Sequence, residues 1–287
     1  MSAILPPWIV LDPLLTKWLQ EDIGRGDRTT SGIFQDEKIA TEGYWIAKED
    51  GVIAGLPLAK RIFKLLDNSV KFIPTIAEGK LVNKGQKIAE FSGTVQPLLT
   101  GERVALNLVM HLSGIATLTN QYVREIAELP TQLVDTRKTT PGLRILEKYA
   151  TAVGGSRNHR MGLDDAVMIK DNHIQAAGGI KNAVSLVRRS IPYTTTIEVE
   201  TTNLTEVRAA IEAQANIIML DNMQPETMQE AVQLIRSSQQ NIKIEASGNV
   251  TLDNIKTIAK TGVDYISTSA TITRSRWLDL SMRFVSC

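Results

Sequence analysis

The spacing of apolar and polar positions divides the chain near residue 100. Before that point, short apolar runs alternate with glycine turns, which is typical of β-hairpins. We predict one hairpin over Trp45–Gly55, turning at Asp50-Gly51, and another over Lys80–Phe91, turning at Lys84-Gly85. Helical spacing of apolar residues between Pro57 and Leu66 adds a helix, so the first part is predicted to be a small α+β unit.

A long apolar helix is predicted next, with Thr100 as its cap and Gly101 as its first residue. The window from Val104 to Val123 contains no Asp, Glu, Lys or Arg, but it does contain seven polar side chains. Those groups would be costly in lipid, so we expect a buried helix and no membrane span. Gly114 and its small neighbours should let another segment approach closely.

From Thr131 onward, short β-rich segments alternate with helical ones. This rhythm predicts a parallel sheet in a complete or partial α/β barrel. The predicted strands are Leu133–Asp135, Ala166–Lys170, Thr195–Glu200, Ile217–Asp221, Ile242–Ala246 and Val263–Ser267. The predicted helices are Leu143–Val153, Ile180–Ser190, Leu204–Ala213, Glu226–Ser237 and Leu252–Lys260.

Composition narrows the range of partners. The 287 residues suffice for one or two domains, and 43% hydrophobic residues can form a full core. With 32 basic and 31 acidic residues the net charge is +1, which favours neither nucleic acid nor an anionic membrane as partner. Cys287 is the single cysteine, so no intramolecular disulfide can form. A reducing compartment is therefore expected. Residues 1–8 do not look like a signal peptide, so we expect a cytoplasmic protein.

Polar residues end each of the six predicted strands. Any one of them could simply cap the following helix, but six in succession favour a functional rim, since strand ends share one rim in an α/β barrel. The residues are Arg137-Lys138, Lys170-Asp171, Glu198 with Glu200, Asp221-Asn222, Glu245 with Ser247-Gly248-Asn249, and Ser267 to Ala270.

The last two of these segments suit a phosphate. Ser247-Gly248-Asn249 precedes a helix expected to start near Thr251, and Thr268-Ser269-Ala270 is the equivalent point one unit later. Barrel phosphate sites use these late loops, where backbone N–H groups face the anion. Alone, a Ser-Gly-Asn segment is more often an ordinary turn.

Basic residues are dense between Asp135 and His173. Arg137 and Lys170 follow predicted strands and Arg160 lies in a glycine-flanked loop, positions suited to gripping carboxylate or phosphate. Arg144 and Lys148 have i,i+4 spacing on a helix, which indicates a solvated face. A zinc site at His159 and His173 is disfavoured, because their spacing is irregular and no cysteine joins them. Glu200 and Asp221 suit Mg²⁺ better.

Taken together, these segments resemble the quinolinate phosphoribosyltransferase family, nearly throughout the chain and in the family's order. The matching segments are Glu21-Asp22-Ile23-Gly24-Arg25-Gly26-Asp27, Gly101-Glu102-Arg103-Val104-Ala105-Leu106-Asn107, Ser113-Gly114-Ile115-Ala116-Thr117, Asp135-Thr136-Arg137-Lys138-Thr139-Thr140-Pro141-Gly142, Asn158-His159-Arg160, Ile169-Lys170-Asp171-Asn172-His173, Glu198-Val199-Glu200, Leu220-Asp221-Asn222 and Ser247-Gly248-Asn249. The resemblance implies an N-terminal α/β sandwich over residues 1–105, joined by the tail 275–287, and an incomplete α/β barrel over 106–274. It also implies a homodimer, or a larger assembly, whose active sites are built by two subunits.

The implied reaction joins quinolinate to phosphoribosyl pyrophosphate, giving nicotinate mononucleotide, pyrophosphate and CO₂, with Mg²⁺, as the entry step of de novo NAD biosynthesis. The resemblance implies that the two ring carboxylates are held by basic residues, with Thr136 beside them: Arg137, His159, Arg160, Lys170 and, from the partner subunit, Arg103. Lys138 and Lys170 would steady the diphosphate. Glu200 and Asp221 would stabilise an oxocarbenium-like transition state through the ribose hydroxyls, the Mg²⁺ or the cationic centre. The late loops (Ser247, Gly248, Asn249, Thr268, Ser269, Ala270) would bind a phosphate.

One departure and three alternatives stay open. The family commonly has Gly-Ala and then Thr-His-Ser where this chain has Ser269-Ala270 and Thr273-Arg274-Ser275, and a serine narrows backbone access to phosphate. The alternatives are a barrel lyase with Lys170 as a Schiff-base amine, a carrier module modified at Lys84, and a paralogue associated with molybdenum transport.

Overall fold

The computed structural model describes residues 3–35 and 38–285. They fall into two compact units, one of Met1–Asn120, Ile145–Gly155 and Arg274–Cys287, the other of Gln121–Arg144 and Ser156–Thr273. The boundary predicted at residue 105 falls within one long helix, and Cys287 lies outside the described residues. In chain order the elements are α1 (Trp8–Ile23), α2 (Arg28–Phe34), β1 (Ala40–Ala47), β2 (Gly51–Val52), α3 (Leu56–Leu66), β3 (Lys71–Pro74), β4 (Leu81–Val82), β5 (Lys87–Thr94), α4 (Val95–Glu125), β6 (Gln132–Val134), α5 (Arg144–Val153), β7 (Val167–Ile169), α6 (Asp171–Ala177), α7 (Ile180–Ser190), β8 (Ile197–Thr201), α8 (Leu204–Glu212), β9 (Ile217–Asp221), α9 (Pro225–Ser237), β10 (Lys243–Ser247), α10 (Ile255–Ala259), β11 (Tyr265–Ser267), α11 (Ala270–Thr273) and β12 (Leu280–Phe284).

The first unit is built on an antiparallel sheet with strand order β12-β1-β5-β3, beside a separate β2-β4 pair. Both predicted hairpins are therefore wrong: β1 pairs with β5, and β2 pairs with β4. The long strands pair with each other because their apolar positions face one core, where Trp45 packs against Phe63 and Phe72. The turn predicted at Lys84-Gly85 forms, whereas Gly51 lies in β2 and the chain bends before it, at residues 48–49. The two segments meet where the Lys84 amide donates to Asp50 Oδ1 at 2.6 Å.

The helix predicted near Pro57 is present as α3, but α4 begins at Val95, earlier than expected. Thr100 lies inside α4, so it is not a cap. Its hydroxyl donates instead to Asp27 Oδ2 at 3.0 Å, and Asp27 caps α2 through the Thr30 amide. Among the described residues, no helix is both long and apolar enough to cross a membrane.

The prediction of a close approach at Gly114 is confirmed, since a Cβ there would lie 1.9 Å from the Arg276 carbonyl oxygen. We expect Gly114→Ala to lower the free energy of unfolding by about 1–3 kcal/mol, because the added methyl group overpacks the contact. Urea denaturation measures the change. Gly32→Ala in α2 is the matched control, since nothing lies within 4 Å of its Cβ position. Equal effects at both sites would contradict the packing argument.

The second unit contains a six-stranded parallel sheet with strand order β6-β11-β10-β9-β8-β7. Each strand lies within two residues of its predicted position at both ends. An isolated parallel bridge from Val134 to Arg157 extends the sheet beyond β6. Over residues 3–35 and 38–285, no ladder joins β6 to β7, so the barrel is open there. The predicted incomplete barrel with an N-terminal α/β unit is thus confirmed.

The solvated face predicted on α5 is wrong. Lys148 is fully buried, because the helix is enclosed from Leu146 to Thr151. Arg144 is only partly exposed and donates to Thr139 Oγ1 at 3.1 Å and to the Met161 carbonyl at 3.2 Å. A charged pair at i,i+4 spacing does not reveal that a helix is covered on all sides.

Candidate functional site

Acidic and hydroxyl side chains collect at the carboxyl ends of the central parallel strands. Alternate residues of a strand point to the same face, so Glu198 and Glu200 share a face on β8, and Glu245 and Ser247 share one on β10. Asp221 ends β9 beside Ser247, its register partner. These strands therefore bring together most of the strand-end residues that the sequence singles out.

The segment Asn158-His159-Arg160 is anchored to the end of β6. Arg157 exchanges backbone hydrogen bonds with Leu133 and Asp135. The Asp135 carboxylate, which is buried, accepts from the Asn158 side chain at 2.6 Å and from the His159 amide at 2.8 Å. Asp135 is the residue that positions this loop, and the sequence reasoning gave it no role.

Both ring nitrogens of His159 are engaged by the protein. Nδ1 accepts from the Arg160 amide at 2.7 Å. Nε2 lies 3.1 Å from Glu198 Oε2 and 3.6 Å from Glu245 Oε2. A nitrogen that accepts an amide N–H carries no proton, so the proton of the ring lies on Nε2.

Glu198 and Glu245 are almost completely buried, and in the described part of the chain the Oε1 atom of each has no hydrogen-bond partner. Burial, with the negative charge of Glu198, raises the pKa of Glu245 to about 8. The ligand atoms of His159, Glu198 and Glu245 lie within 4.8 Å of one another, as in a metal site. However, the lone pair of His159 Nδ1 accepts the Arg160 amide and Nε2 carries the proton, so neither nitrogen can bind a metal in this arrangement. The three side chains are therefore better described as a hydrogen-bonded cluster. Both glutamates stand at sequence-predicted strand ends, but only the inward register shows that they are buried.

Four cationic side chains lie at these strand ends or in the loop anchored to β6. Arg137 has a buried Nη1 atom without a hydrogen-bond partner. Arg160 donates from Nη1 to the Ala166 carbonyl at 2.8 Å. The pKa of its guanidinium is lowered, mainly by burial and secondly by repulsion from the charge of Arg137. Lys170 forms an ion pair with Glu200. Lys138 is exposed, with its backbone amide bound to Thr136 Oγ1.

The loop after β10 turns tightly against Asn222, the residue that follows β9. Asn222, Gly248 and Asn249 all have positive φ, and Asn249 donates to Asn222 Oδ1 at 3.0 Å. A Cβ on Gly248 would lie 2.2 Å from that oxygen, so only glycine fits. The helix expected near Thr251 begins later, at Ile255.

In the loop after β11, the Ala270 amide donates to the hydroxyl of the buried residue Thr268 at 3.1 Å. Ser269 is absent from the residues with positive φ, so this backbone does not require the family's glycine. Arg103 belongs to the other compact unit, where it is exposed on α4.

Comparison with known proteins gives consistent matches. Residues 27–113 match the N-terminal domain, and residues 115–283 the C-terminal domain, of quinolinate phosphoribosyl transferase. A Synechocystis protein named "Probable nicotinate-nucleotide pyrophosphorylase (carboxylating)" is 61% identical, over 98% of this chain and 95% of its own length. A Bacillus subtilis protein of the same name is 44% identical, over 95% and 92%. The crystal structure of NadC from Streptococcus pyogenes superposes with a TM-score of 0.93 at 38% identity, covering 98% of this chain and 99% of that one.

Proposed function

Because the chain belongs to the quinolinate phosphoribosyltransferase family and is a phosphoribosyltransferase of NAD biosynthesis, we propose a role in that reaction for each residue of the site. Quinolinate and phosphoribosyl pyrophosphate bind at the carboxyl ends of β6 to β11. The observation that carries this proposal is the half-buried Arg137, whose buried Nη1 atom has no hydrogen-bond partner among the described residues and which lies near the guanidinium of Arg160. Two neighbouring cations suit a ligand with two carboxylates.

The dicarboxylate is bound by three positively charged side chains, those of Arg137, Arg160 and Lys170. Guanidinium groups bind carboxylates through two parallel N–H donors. Lys170 forms an ion pair with Glu200, and a ring carboxylate competes with Glu200 for its ammonium group. The ring nitrogen is then held in place to attack C1 of the ribose as pyrophosphate leaves, which makes positioning the main contribution of these residues.

Glu200 and Asp221 stabilise the positive charge that develops at the reacting carbon. Positive charge develops on the ribose as the C1–O bond to pyrophosphate breaks, and carboxylates fixed nearby stabilise it. Their oxygens also fit Mg²⁺, which would be held mainly by the diphosphate and would offset its negative charge. Lys138, exposed at the end of β6, steadies the diphosphate. The loops 247–249 and 268–270 bind the 5′-phosphate of the ribose.

Loss of the 2-carboxylate needs no further cofactor. Once the ring nitrogen is bonded to the ribose it carries positive charge, and this charge stabilises the electron pair left on C2 when CO₂ departs. A proton then replaces the carboxylate.

A Schiff-base lyase is a weaker reading of the same site. That chemistry needs a neutral lysine amine with a free electron pair, whereas Lys170 is an ammonium group in an ion pair with Glu200. Borohydride should therefore trap no carbonyl substrate on Lys170.

The test of the function is a direct assay. Purified protein with quinolinate, phosphoribosyl pyrophosphate and Mg²⁺ should release CO₂ and form nicotinate mononucleotide, and chelation of the metal should stop both. Nicotinate in place of quinolinate is the control for the second carboxylate. Turnover of nicotinate but not of quinolinate would refute the dicarboxylate site.

We also propose a cytoplasmic homodimer, or a larger assembly, in which the exposed Arg103 completes the partner's site. Arg103→Ala and Arg160→Ala should each be inactive alone. In a C2 dimer, random mixing of the two should restore about a quarter of wild-type activity, because half of the dimers then hold one intact site. The assay above, after mixing and refolding, measures it. An inactive mixture would show that Arg103 does not act across the interface, and full activity of Arg103→Ala alone would show that Arg103 is not needed.

A further inference from the structure

We propose that Arg144 is a positioning residue of the dicarboxylate site, which holds the loop of Arg137 and the loop of Arg160 at a fixed separation. The inference rests on the proposed function, because it takes both of these arginines as ligands of the quinolinate carboxylates. Arg144 acts through the backbones of the two loops, and both of its contacts lie within the second compact unit.

Arg144 reaches the first loop through a hydroxyl group. It is the first residue of α5, and its Nε atom donates to Thr139 Oγ1 at 3.1 Å. The carbonyl oxygen of Arg137 accepts from the Thr139 amide at 2.9 Å and from the Thr139 hydroxyl at 3.4 Å. Because a guanidinium nitrogen can only donate, the hydroxyl accepts from Arg144 and gives its own proton to Arg137. Arg144 is therefore connected to the backbone of Arg137 through a single intermediate residue.

The same guanidinium reaches the second loop directly. Its Nη1 atom donates to the carbonyl oxygen of Met161 at 3.2 Å, and Met161 is the residue after Arg160. The second loop is also braced from within, because the Met161 amide donates to Asp165 at 2.8 Å and Arg160 donates to the Ala166 carbonyl at 2.8 Å. A displacement at Met161 would therefore be passed on to Arg160.

Helix stability does not account for a cation at this position. The amino end of a helix carries partial positive charge, so an arginine in the first turn of α5 is unfavourable there. A guanidinium presents its donors in a rigid planar fork, whereas lysine has one nitrogen on a flexible stem. Arg144 can thus fix the distance between two acceptors on different loops. Quinolinate carries its two carboxylates on one rigid ring, so the arginines that bind them need a fixed separation as well.

The substitution Arg144→Lys tests the proposal, because it keeps the charge and removes the fork. In steady-state kinetics it should raise KM for quinolinate about tenfold, as for the loss of one hydrogen bond from a charged group, while kcat changes by less than about threefold. Arg188→Lys is the matched control, since Arg188 also donates to two carbonyl oxygens, those of Ala213 and Gln214 just before β9. A merely structural role leaves KM unchanged, so the control should stay within about twofold of wild type.

A pair of variants at Thr139 keeps the test valid if Arg144→Lys does not fold. Thr139→Val removes the hydroxyl and should raise KM for quinolinate as Arg144→Lys does, whereas Thr139→Ser keeps the hydroxyl and should stay within about threefold of wild type. Because the two residues share one contact, the double variant of Thr139→Val and Arg144→Lys should raise KM by less than the product of the single effects.

Several results would overturn the proposal. One is an unchanged KM for quinolinate in Arg144→Lys, and another is equal KM values in Thr139→Val and Thr139→Ser. Effects that multiply in the double variant would show that Arg144 and Thr139 act separately. Absence of quinolinate turnover in the wild-type protein would instead refute the proposed function. Calorimetric titration of the wild type and Arg144→Lys with quinolinate would then test the inference, and equal affinities or no binding would overturn it.

Discussion

Replacement of Arg160 by alanine should lower kcat/KM for quinolinate about a thousandfold while leaving the fold intact. The expected loss, about 4 kcal/mol of transition-state binding, is that of removing one partner from a buried charge pair. Arg137, whose Nη1 atom is buried without a partner among the described residues, would then face the second carboxylate alone. Steady-state kinetics with quinolinate as the varied substrate measure the loss, and circular dichroism checks the fold.

Arg189→Ala is the matched control for Arg160→Ala. Arg189 is exposed in the last turn of α7, away from the strand ends. Its removal should leave kcat/KM within about twofold of wild type, as for an ordinary surface substitution. A loss of less than tenfold in Arg160→Ala would mean that another cation holds the carboxylate.

Replacement of Glu245 by glutamine should stabilise the protein increasingly as pH rises. Burial and the charge of Glu198 raise the pKa of Glu245 from 4.5 to about 8 in the folded protein. Between those values the folded state keeps a proton that the unfolded state has lost, so the stability of the wild type falls as pH rises and levels off above pH 8. In the wild type, the free energy of unfolding falls by up to roughly 1.4 kcal/mol per pH unit over this range. Glutamine does not titrate, so the variant lacks this fall.

Urea denaturation at pH 5, 6.5 and 8.5 follows the difference. The two proteins should be close at pH 5, and Glu245→Gln should be more stable by a few kcal/mol at pH 8.5. Glu230→Gln in α9 removes an exposed carboxylate and should show no comparable trend. A difference between Glu245→Gln and wild type that stays constant with pH would mean that Glu245 is ionised throughout.

The second unit was largely predictable because its signals are local. Parallel strands such as β9 are short apolar runs flanked by helices, so Ile217–Asp221 can be bounded from the sequence alone. Their carboxyl ends must share an edge, which places Asp221 near Ser247 without knowledge of coordinates.

What the sequence could not predict depends on contacts between distant residues. The partner of β1 is β5 and not its neighbour β2, since the pairing is decided by a core that both long strands share. The burial of Lys148 and the engagement of both His159 nitrogens likewise depend on what packs around them. A turn signal or a charge spacing describes a few adjacent residues and cannot report such surroundings.

The position of β12 in the first sheet bears on how the chain is synthesised. β1 appears early, at Ala40–Ala47, but its outer edge is covered only by Leu280–Phe284. Domains generally fold in the order in which they leave the ribosome, yet here the sheet of the second unit, residues 132–267, can close first. Until Leu280–Phe284 has been synthesised, β1 has an uncovered edge with which other chains can pair. Slow or stalled translation beyond residue 267 should therefore favour aggregation through the first unit, even when the sheet of the second unit is already formed.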